Sequence, residues 1–255
     1  MSIDLRQIPC LQDNYGYLVR DRKTGAVASI DTPDPDAINA ALEGEGWALT
    51  HILNTHWHWD HAGGNEALKK RWNARVIGPA GEAEKIPGID EAVGEGDVVM
   101  LGEARAVVED TPGHTAGHII YYFADAAAAF VGDTVFALGC GRLFEGTPEQ
   151  MWASLGKIKS LPPQTRLYCA HEYTQSNARF AVSVDPHNAA LAKRAEMIDA
   201  ARARGEPTVP TDVATELATN PFLRADQDGV AAAVGLAGAS PVEVFAEVRK
   251  RKDNF

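Results

Sequence analysis

The run Thr55-His56-Trp57-His58-Trp59-Asp60-His61, followed by Ala62-Gly63-Gly64, decides how the rest of the chain reads. Ile52-Leu53-Asn54 before it is apolar enough to end a buried strand, so the run begins where a strand gives way to a loop. His56 and His58 are two positions apart, and extended backbone puts both imidazoles on one side. Asp60 and His61 follow once the chain has begun to turn and are expected on another side of the same pocket. Gly63 and Gly64 permit a tight path into a helix over Asn65 to Trp72. Four donor groups in six positions exceed what one catalytic zinc takes from a loop, since such an ion uses three protein ligands and keeps one position open. Two metals sharing a site would use them all. Core packing or helix capping accounts for one histidine, not for three with an intervening acid.

Further donors stand at strand ends. Thr111-Pro112-Gly113-His114 places His114 in a loop after a strand, Val131-Gly132-Asp133 ends an apolar strand in an aspartate, and Tyr168-Cys169-Ala170-His171 ends another in a histidine. Each alone is weak, because a strand-end aspartate is commonly a cap. Together they bring the set to five histidines and two aspartates without sulfur, which suits zinc, iron or manganese. Asp133, alone at its strand end, is the natural carboxylate to bridge two ions.

The surrounding chain reads as many short strands with helices between them. Strands are expected at Ile3–Ile8, Tyr15–Val19, Ala26–Ile30, Ala74–Ile77, Val98–Leu101, Ala104–Val108, His118–Phe123, Ala129–Val131 and Arg166–Ala170. Asp34-Pro35 caps a helix to about Leu42, and Pro148 to Leu161 is an amphipathic helix. After about residue 174 the strand signals stop. Asp185-Pro186 is expected to open a helix that Gly205 ends, and Ser240-Pro241-Val242-Glu243 is a capping box for a last helix toward Arg251. Mixed sheets covered by helices, with a helical tail of about 80 residues, follow from this pattern.

The chain has 255 residues, ample for a large core. Its net charge of -11 argues against a general nucleic-acid or anionic-membrane binder, since both need a broad basic field. Cys10, Cys140 and Cys169 form no CxxC pair, and their odd number fits free thiols in a reducing compartment. The first residues lack a signal-peptide pattern, so a cytoplasmic location is expected.

Thr55 to His61, with His114, Asp133 and His171 following in order, resembles the metallo-β-lactamase superfamily, and within it the glyoxalase II (hydroxyacylglutathione hydrolase) family. Asp13-Asn14-Tyr15, Gly139-Cys140-Gly141-Arg142-Leu143-Phe144-Glu145-Gly146, Asn220-Pro221-Phe222-Leu223-Arg224 and Arg249-Lys250-Arg251-Lys252-Asp253 carry the closer resemblance, which spans essentially the whole chain. It implies an α/β fold, a four-layer αββα sandwich over residues 1–174, with a small helical substrate-binding domain over 175–255. It implies two divalent ions, zinc first, with iron or manganese as alternatives. His56, His58 and His114 would hold one ion, and Asp60, His61 and His171 the other, with Asp133 bridging. The family's glutathione contacts fall on Arg142, Phe144, Tyr173, Asn177, Arg249 and Lys252. The best-known members have lysine at position 142 and tyrosine at 144; Arg142 keeps the charge with a different donor geometry, and Phe144 lacks the hydroxyl. The implied reaction is hydrolysis of the thioester of an S-(2-hydroxyacyl)glutathione, such as S-lactoylglutathione, by a metal-bridging hydroxide, as in methylglyoxal detoxification. Asp60 and Asp133 are the catalytic carboxylates of that scheme, and the only partner is the small thioester, bound by a monomer.

Residues read as structural are His51, His187 and Cys140 between two glycines, while Trp57 and Trp59 read equally as pocket wall or as packing. His118 is read as lying behind the donors. Of the basic run Arg249 to Lys252 only part can face one ligand, and cations also complement a helix C-terminus. Two rivals stand beside the hydrolase: a mononuclear iron dioxygenase acting on glutathione persulfide, and a metal-bearing scaffold without catalysis. The basic helical tail argues against the first and the complete donor set against the second.

Overall fold

The computed structural model describes residues 2–255, which pack as two units. The first comprises the chain up to Asp110 together with Ala116–Gly132. Its first sheet runs in chain order through β1 (Ile3–Cys10), β2 (Asn14–Asp21), β3 (Val27–Ile30), β4 (His51–Leu53), β5 (Arg75–Pro79) and β6 (Glu91–Val93). The pairs β1–β2 and β2–β3 are antiparallel, and β3 to β6 are parallel. Parallel neighbours need crossovers, and α1 (Pro35–Glu45) makes the one between β3 and β4. Asp34 caps it by accepting from the Asp36 and Ala37 amides, and Gly46 ends it at φ 66°. The crossover from β4 to β5 carries α2 (Trp59–Ala62) and α3 (Asn65–Trp72). Ile38, Leu42, Leu68, Leu18, Ile52 and Val76 form the core under these helices.

The second set of strands in this unit is the antiparallel succession β7 (Val98–Leu101), β8 (Ala104–Asp110), β9 (Ile119–Phe123) and β10 (Ala128–Gly132). The expected hairpin turn at Gly102-Glu103 is present, with Gly102 at φ 61°. The buried Asp21 carboxylate, at the end of β2, accepts from the Thr24 amide (3.0 Å), the Thr24 hydroxyl (2.6 Å) and the Glu103 amide (3.0 Å). One carboxylate therefore ties the β2–β3 turn to the β7–β8 turn.

The second unit comprises Thr111–Thr115 and Asp133–Phe255. It begins with a small hairpin, β11 (Val135–Phe136) and β12 (Gly139–Cys140), then α4 (Pro148–Ser160) and β13 (Arg166–Cys169). The helices α5 (Thr174–Val184), α6 (Ala189–Ala203), α7 (Val213–Thr219), α8 (Asp228–Ala233) and α9 (Pro241–Asp253) follow. The expected capping box holds its reciprocal bonds where Ser240 opens α9, and a second one, at Thr147, opens α4. Three features differ from the sequence reading. The tail is not purely helical, because β14 (Thr211–Asp212) pairs antiparallel with β13. A helix, α5, precedes Asp185; its Ser, Thr, Asn and Val residues have weak helix propensity, and burial of Ala178, Phe180, Ala181 and Val184 overrides it. Asp185 then closes α5 instead of opening α6, which Asn188 caps by accepting from the Leu191 amide at 3.1 Å. Asp185 accepts instead from the side chains of Asn188 and Arg224. No helix among the described residues is long and apolar enough to cross a membrane.

Burial alone would raise the Asp21 pKa, but the bonds from Thr24, Glu103 and Lys23 outweigh it and hold it at about 2 against the ordinary 3.8. A carboxylate depressed in the folded chain stabilises it above the unfolded value and loses that contribution as pH falls through the folded one. Asp21→Asn should therefore unfold at lower urea than the parent at neutral pH, with the gap closing as pH falls from 3.8 to about 2.

Candidate metal centre

The first unit gathers four of the expected donors. The chain bends at Thr55 and His56 just beyond β4 and enters α2, which carries Asp60 and His61. His56 Nε2 lies 3.0 Å from His58 Nδ1, and the His56 and His61 ring centroids are 4.0 Å apart. His61 Nε2 lies 3.7 Å from Asp60 Oδ2. Gly63 and Gly64 have ordinary right-handed dihedrals, so they serve by lacking a side chain: a Cβ there would stand 2.5 Å from the Trp59 carbonyl and 2.6 Å from the Thr32 carbonyl.

Asp31, which no motif singled out, orders these rings. It is buried at φ 56°, a left-handed conformation that costs an L-residue about 1–2 kcal/mol. Its carboxylate accepts from the Thr55 amide, the Thr55 hydroxyl and His61 Nδ1, each at 2.8 Å. Thr55, having donated its proton, accepts from His56 Nδ1 at 3.1 Å. Both imidazoles thus carry their proton on Nδ1 and present Nε2 as a lone pair, the arrangement that metal-binding histidines use. The signal was present in the sequence: Ile30-Asp31 ends a buried strand in an aspartate, as Val131-Gly132-Asp133 does. Asn14 Nδ2 donates to Asp60 Oδ2 at 3.1 Å. Glu82, also missed, accepts from the Trp57 amide (3.0 Å) and the Gly117 amide (2.8 Å), bracing the backbone between His56 and His58. His118 is buried and stacks on His56 at 4.8 Å, behind the donors as expected.

The second unit gathers the other three. His114 Nδ1 donates to the Arg142 carbonyl at 2.9 Å, which again leaves Nε2 as the ligand atom. That atom lies 3.3 Å from Asp133 Oδ2, while His171 Nε2 lies 3.5 Å from Asp133 Oδ1. The buried carboxylate therefore turns one oxygen to each imidazole. His171 stacks against Tyr173 at 4.6 Å, and Phe144 packs edge-on to His114 at 5.3 Å.

Of the residues expected at the substrate, Arg142, Phe144 and Tyr173 are exposed and Lys252 is half-buried. Asn177 and Arg249 are buried and bonded to backbone: Asn177 Nδ2 donates to the Ala137 carbonyl at 3.1 Å, and Arg249 Nη1 to the Cys140 carbonyl at 2.8 Å. Arg249 also pairs with Asp253 at 2.8 Å, with Arg142 Nε 3.7 Å from the same carboxylate oxygen. Lys252 Nζ sits over the Phe180 and Phe255 rings. Burial first, then Arg249, Arg179 and Arg142, pushes its pKa down to about 8, partly offset by Asp253.

The donor chemistry fits divalent metal: imidazoles and carboxylates without thiolate, with His56, His61 and His114 each held by a bond from Nδ1. Comparison with known proteins agrees. The description "Metallo-beta-lactamase superfamily" matches residues 17–171, and "Hydroxyacylglutathione hydrolase C-terminus" matches 172–255. A curated protein of Maricaulis maris (strain MCS10), named hydroxyacylglutathione hydrolase, is 54% identical over 251 residues, covering 98% of each chain. The crystal structure of ETHE1 from Myxococcus xanthus superposes with a TM-score of 0.69 at 26% identity, covering 97% of this chain and 90% of that one. That of TTHA1623 in a di-iron-bound form superposes at 0.62 and 25%, covering 86% and 99%. The fold is thus of the metallo-β-lactamase type with an added helical C-terminal region.

Cys140 lies buried in its loop, and burial pushes its thiol up to about 12, that of Cys169 to about 12 and that of Cys10 to about 11. All three should resist a thiol-specific disulfide reagent at pH 8 while the chain is folded and react together in guanidinium. Rapid modification of Cys140 in the folded chain would restore it as a reactive group.

Proposed function

This chain belongs to the hydroxyacylglutathione hydrolases of the metallo-β-lactamase superfamily, and from that premise we propose that it hydrolyses the thioester of an S-(2-hydroxyacyl)glutathione at a binuclear metal centre. One observation carries the binuclear reading: Asp133 offers separate oxygens to His114 and His171, as a carboxylate shared by two ions can. We assign His56, His58 and His114 to one ion, Asp60, His61 and His171 to the other, and Asp133 to both. Each set offers imidazole and carboxylate donors of the kind that suits a divalent ion. The di-iron form of TTHA1623 supports two ions in this fold. Zinc is the ion we favour, and iron or manganese would suit the same donors.

Bound ions supply Lewis acidity and a water acidified toward neutral pH. The chain's own residues do the rest. Asp31 holds His61 directly and His56 through Thr55, so neither ring must reorient during turnover. Asp60, steadied by Asn14, orients the attacking water. Water oxygen adds to the thioester carbonyl carbon, the carbon–sulfur bond breaks, glutathione leaves as thiolate, and the protons of the water pass to solvent or on to that thiolate. A thiol pKa near about 8.5 makes that departure easy without a strong general acid. Arg142 and Lys252 supply positive charge for the glutathione carboxylates, and Tyr173 and Phe144 offer apolar walls.

Residues 1–174 carry all seven donors and 175–255 much of the substrate side, a division supported by the family descriptions meeting at 171 and 172. We read the chain as a cytoplasmic monomer without nucleic-acid or membrane partners, on its net charge of -11 and its free cysteines. Against the dioxygenase rival stands the 54% identity to a named hydrolase over the whole chain. Metal content separates the two, as two ions with thioester loss or one iron with oxygen uptake.

Asp133→Ala should lose bound metal by elemental analysis and slow loss of S-lactoylglutathione ultraviolet absorbance more than about 100-fold, beyond what outer ligand partners contribute. Full retention of both would sink the assignment. Lys252 sheds its charge above about pH 8, so the parent KM should climb there. In Lys252→Met the KM should be high at neutral pH and flat across that range.

A further inference from the structure

Beyond the antiparallel pairing of β11 with β12, side chains from the C-terminal helices bond to the backbone of every residue from Phe136 to Cys140. The hairpin leads from Asp133 to Arg142, whose carbonyl accepts from His114 Nδ1. Asn220 Nδ2, at the end of α7, donates to the Phe136 carbonyl (3.2 Å) and the Gly139 carbonyl (2.9 Å). Asn177 on α5 takes the Ala137 carbonyl and Arg249 on α9 the Cys140 carbonyl. Glu216 Oε2, on fully buried α7 side-chain carboxylate, accepts from the Leu138 amide (2.9 Å) and from Asn220 Nδ2 (2.9 Å). Its other oxygen accepts from Thr211 (2.6 Å) and pairs with Arg194.

This hairpin would not choose its shape unaided. Leu138 stands at φ 58°, where glycine or asparagine is usual, and its side chain is buried among Ala178, Ala181, Leu191 and Ile198. A Cβ on Gly139 would lie 2.3 Å from Asn177 Nδ2, and one on Gly141 would lie 2.0 Å from the Asp133 carbonyl and 3.2 Å from His114 Nδ1. The backbone is therefore pressed against the two donors that flank it.

We propose that Glu216 and Asn220 are positioning residues that act through this hairpin on the His114–Asp133 pair, with Asn177 and Arg249 serving the same hairpin from beneath. The proposal rests on the metal-centre reading for its consequence, not for its geometry. Asn220 and Glu216 bond to neither donor, so their effect must pass through the carbonyl of Arg142 and the backbone that runs from Asp133 into β11, which Gly141 ties at the Thr134 carbonyl.

The test compares Asn220→Ala, Glu216→Ala and Glu216→Gln with Ile158→Ala, a cavity in α4 that lowers thermal stability at a buried residue with no hydrogen bond to the hairpin. Metal-loaded protein is mixed with a chromophoric chelator and metal release is timed, and the His114 Nδ1–H signal is followed by NMR. Asn220→Ala and Glu216→Ala should release metal about 10-fold faster than the parent, the scale of a lost outer partner. Glu216→Gln, which keeps an acceptor for the Leu138 amide, should stay near the parent rate. Equal release from Ile158→Ala at matched stability, or parent rates in both alanine variants, would overturn the proposal. If the parent takes up no metal, the function reading fails and the NMR signal decides here: loss in Asn220→Ala but not in Ile158→Ala supports the proposal, and persistence in both refutes it.

Discussion

Imidazoles that turn lone pairs toward one another repel, and a buried carboxylate facing two of them is costly unless a cation completes the set. The structure must hold such groups by their far sides, and this constraint organises both units. In the first, Asp31 is the anchor: one buried carboxylate fixes the protonated nitrogens of His61 and, by way of Thr55, His56. In the second, the anchor for His114 is a backbone carbonyl, that of Arg142. A carboxylate polarises its histidine more than a neutral carbonyl does, so the two kinds of anchor also make the rings unequal as donors.

Where the sequence was legible, the reason is local. His56, His58, Asp60 and His61 fall within six positions, and strand and turn geometry alone brings them together. His114, Asp133 and His171 were legible because each follows an apolar strand. Caps at Asp34 and Ser240 were legible for the same reason, since a cap bonds within three residues. What escaped depends on distance along the chain. Glu82 bonds amides 25 and 35 residues away, and Glu216 bonds an amide 78 away. Nothing beside them in the sequence marks either as buried. Asp185 misled for a related reason: Asp-Pro favours helix starts, yet here the aspartate answers Arg224 and Asn188 while its own backbone closes the preceding helix.

The helical region also changes meaning once seen. Its basic end suggested a surface for an anionic ligand, and Arg142 is exposed and Lys252 half-buried. Arg249, however, is only 5% exposed, and its guanidinium is divided between the Cys140 carbonyl and Asp253. A cation so placed shapes backbone more than it recruits substrate. Asp253 in turn tempers the field of the cations around it.

Because β11–β12 and the helices that grip it pack within one unit, exchange of tails between family members is not a swap of interchangeable parts. A graft cut at the seam near residue 172 would hand a foreign α5, α7 and α9 to a hairpin whose carbonyls were fitted to Asn177, Glu216, Asn220 and Arg249. A chimera that carries everything from Asp133 onward keeps those pairings from a single parent. Recombination points in this architecture are better placed ahead of Asp133 than where the sequence similarity changes its label.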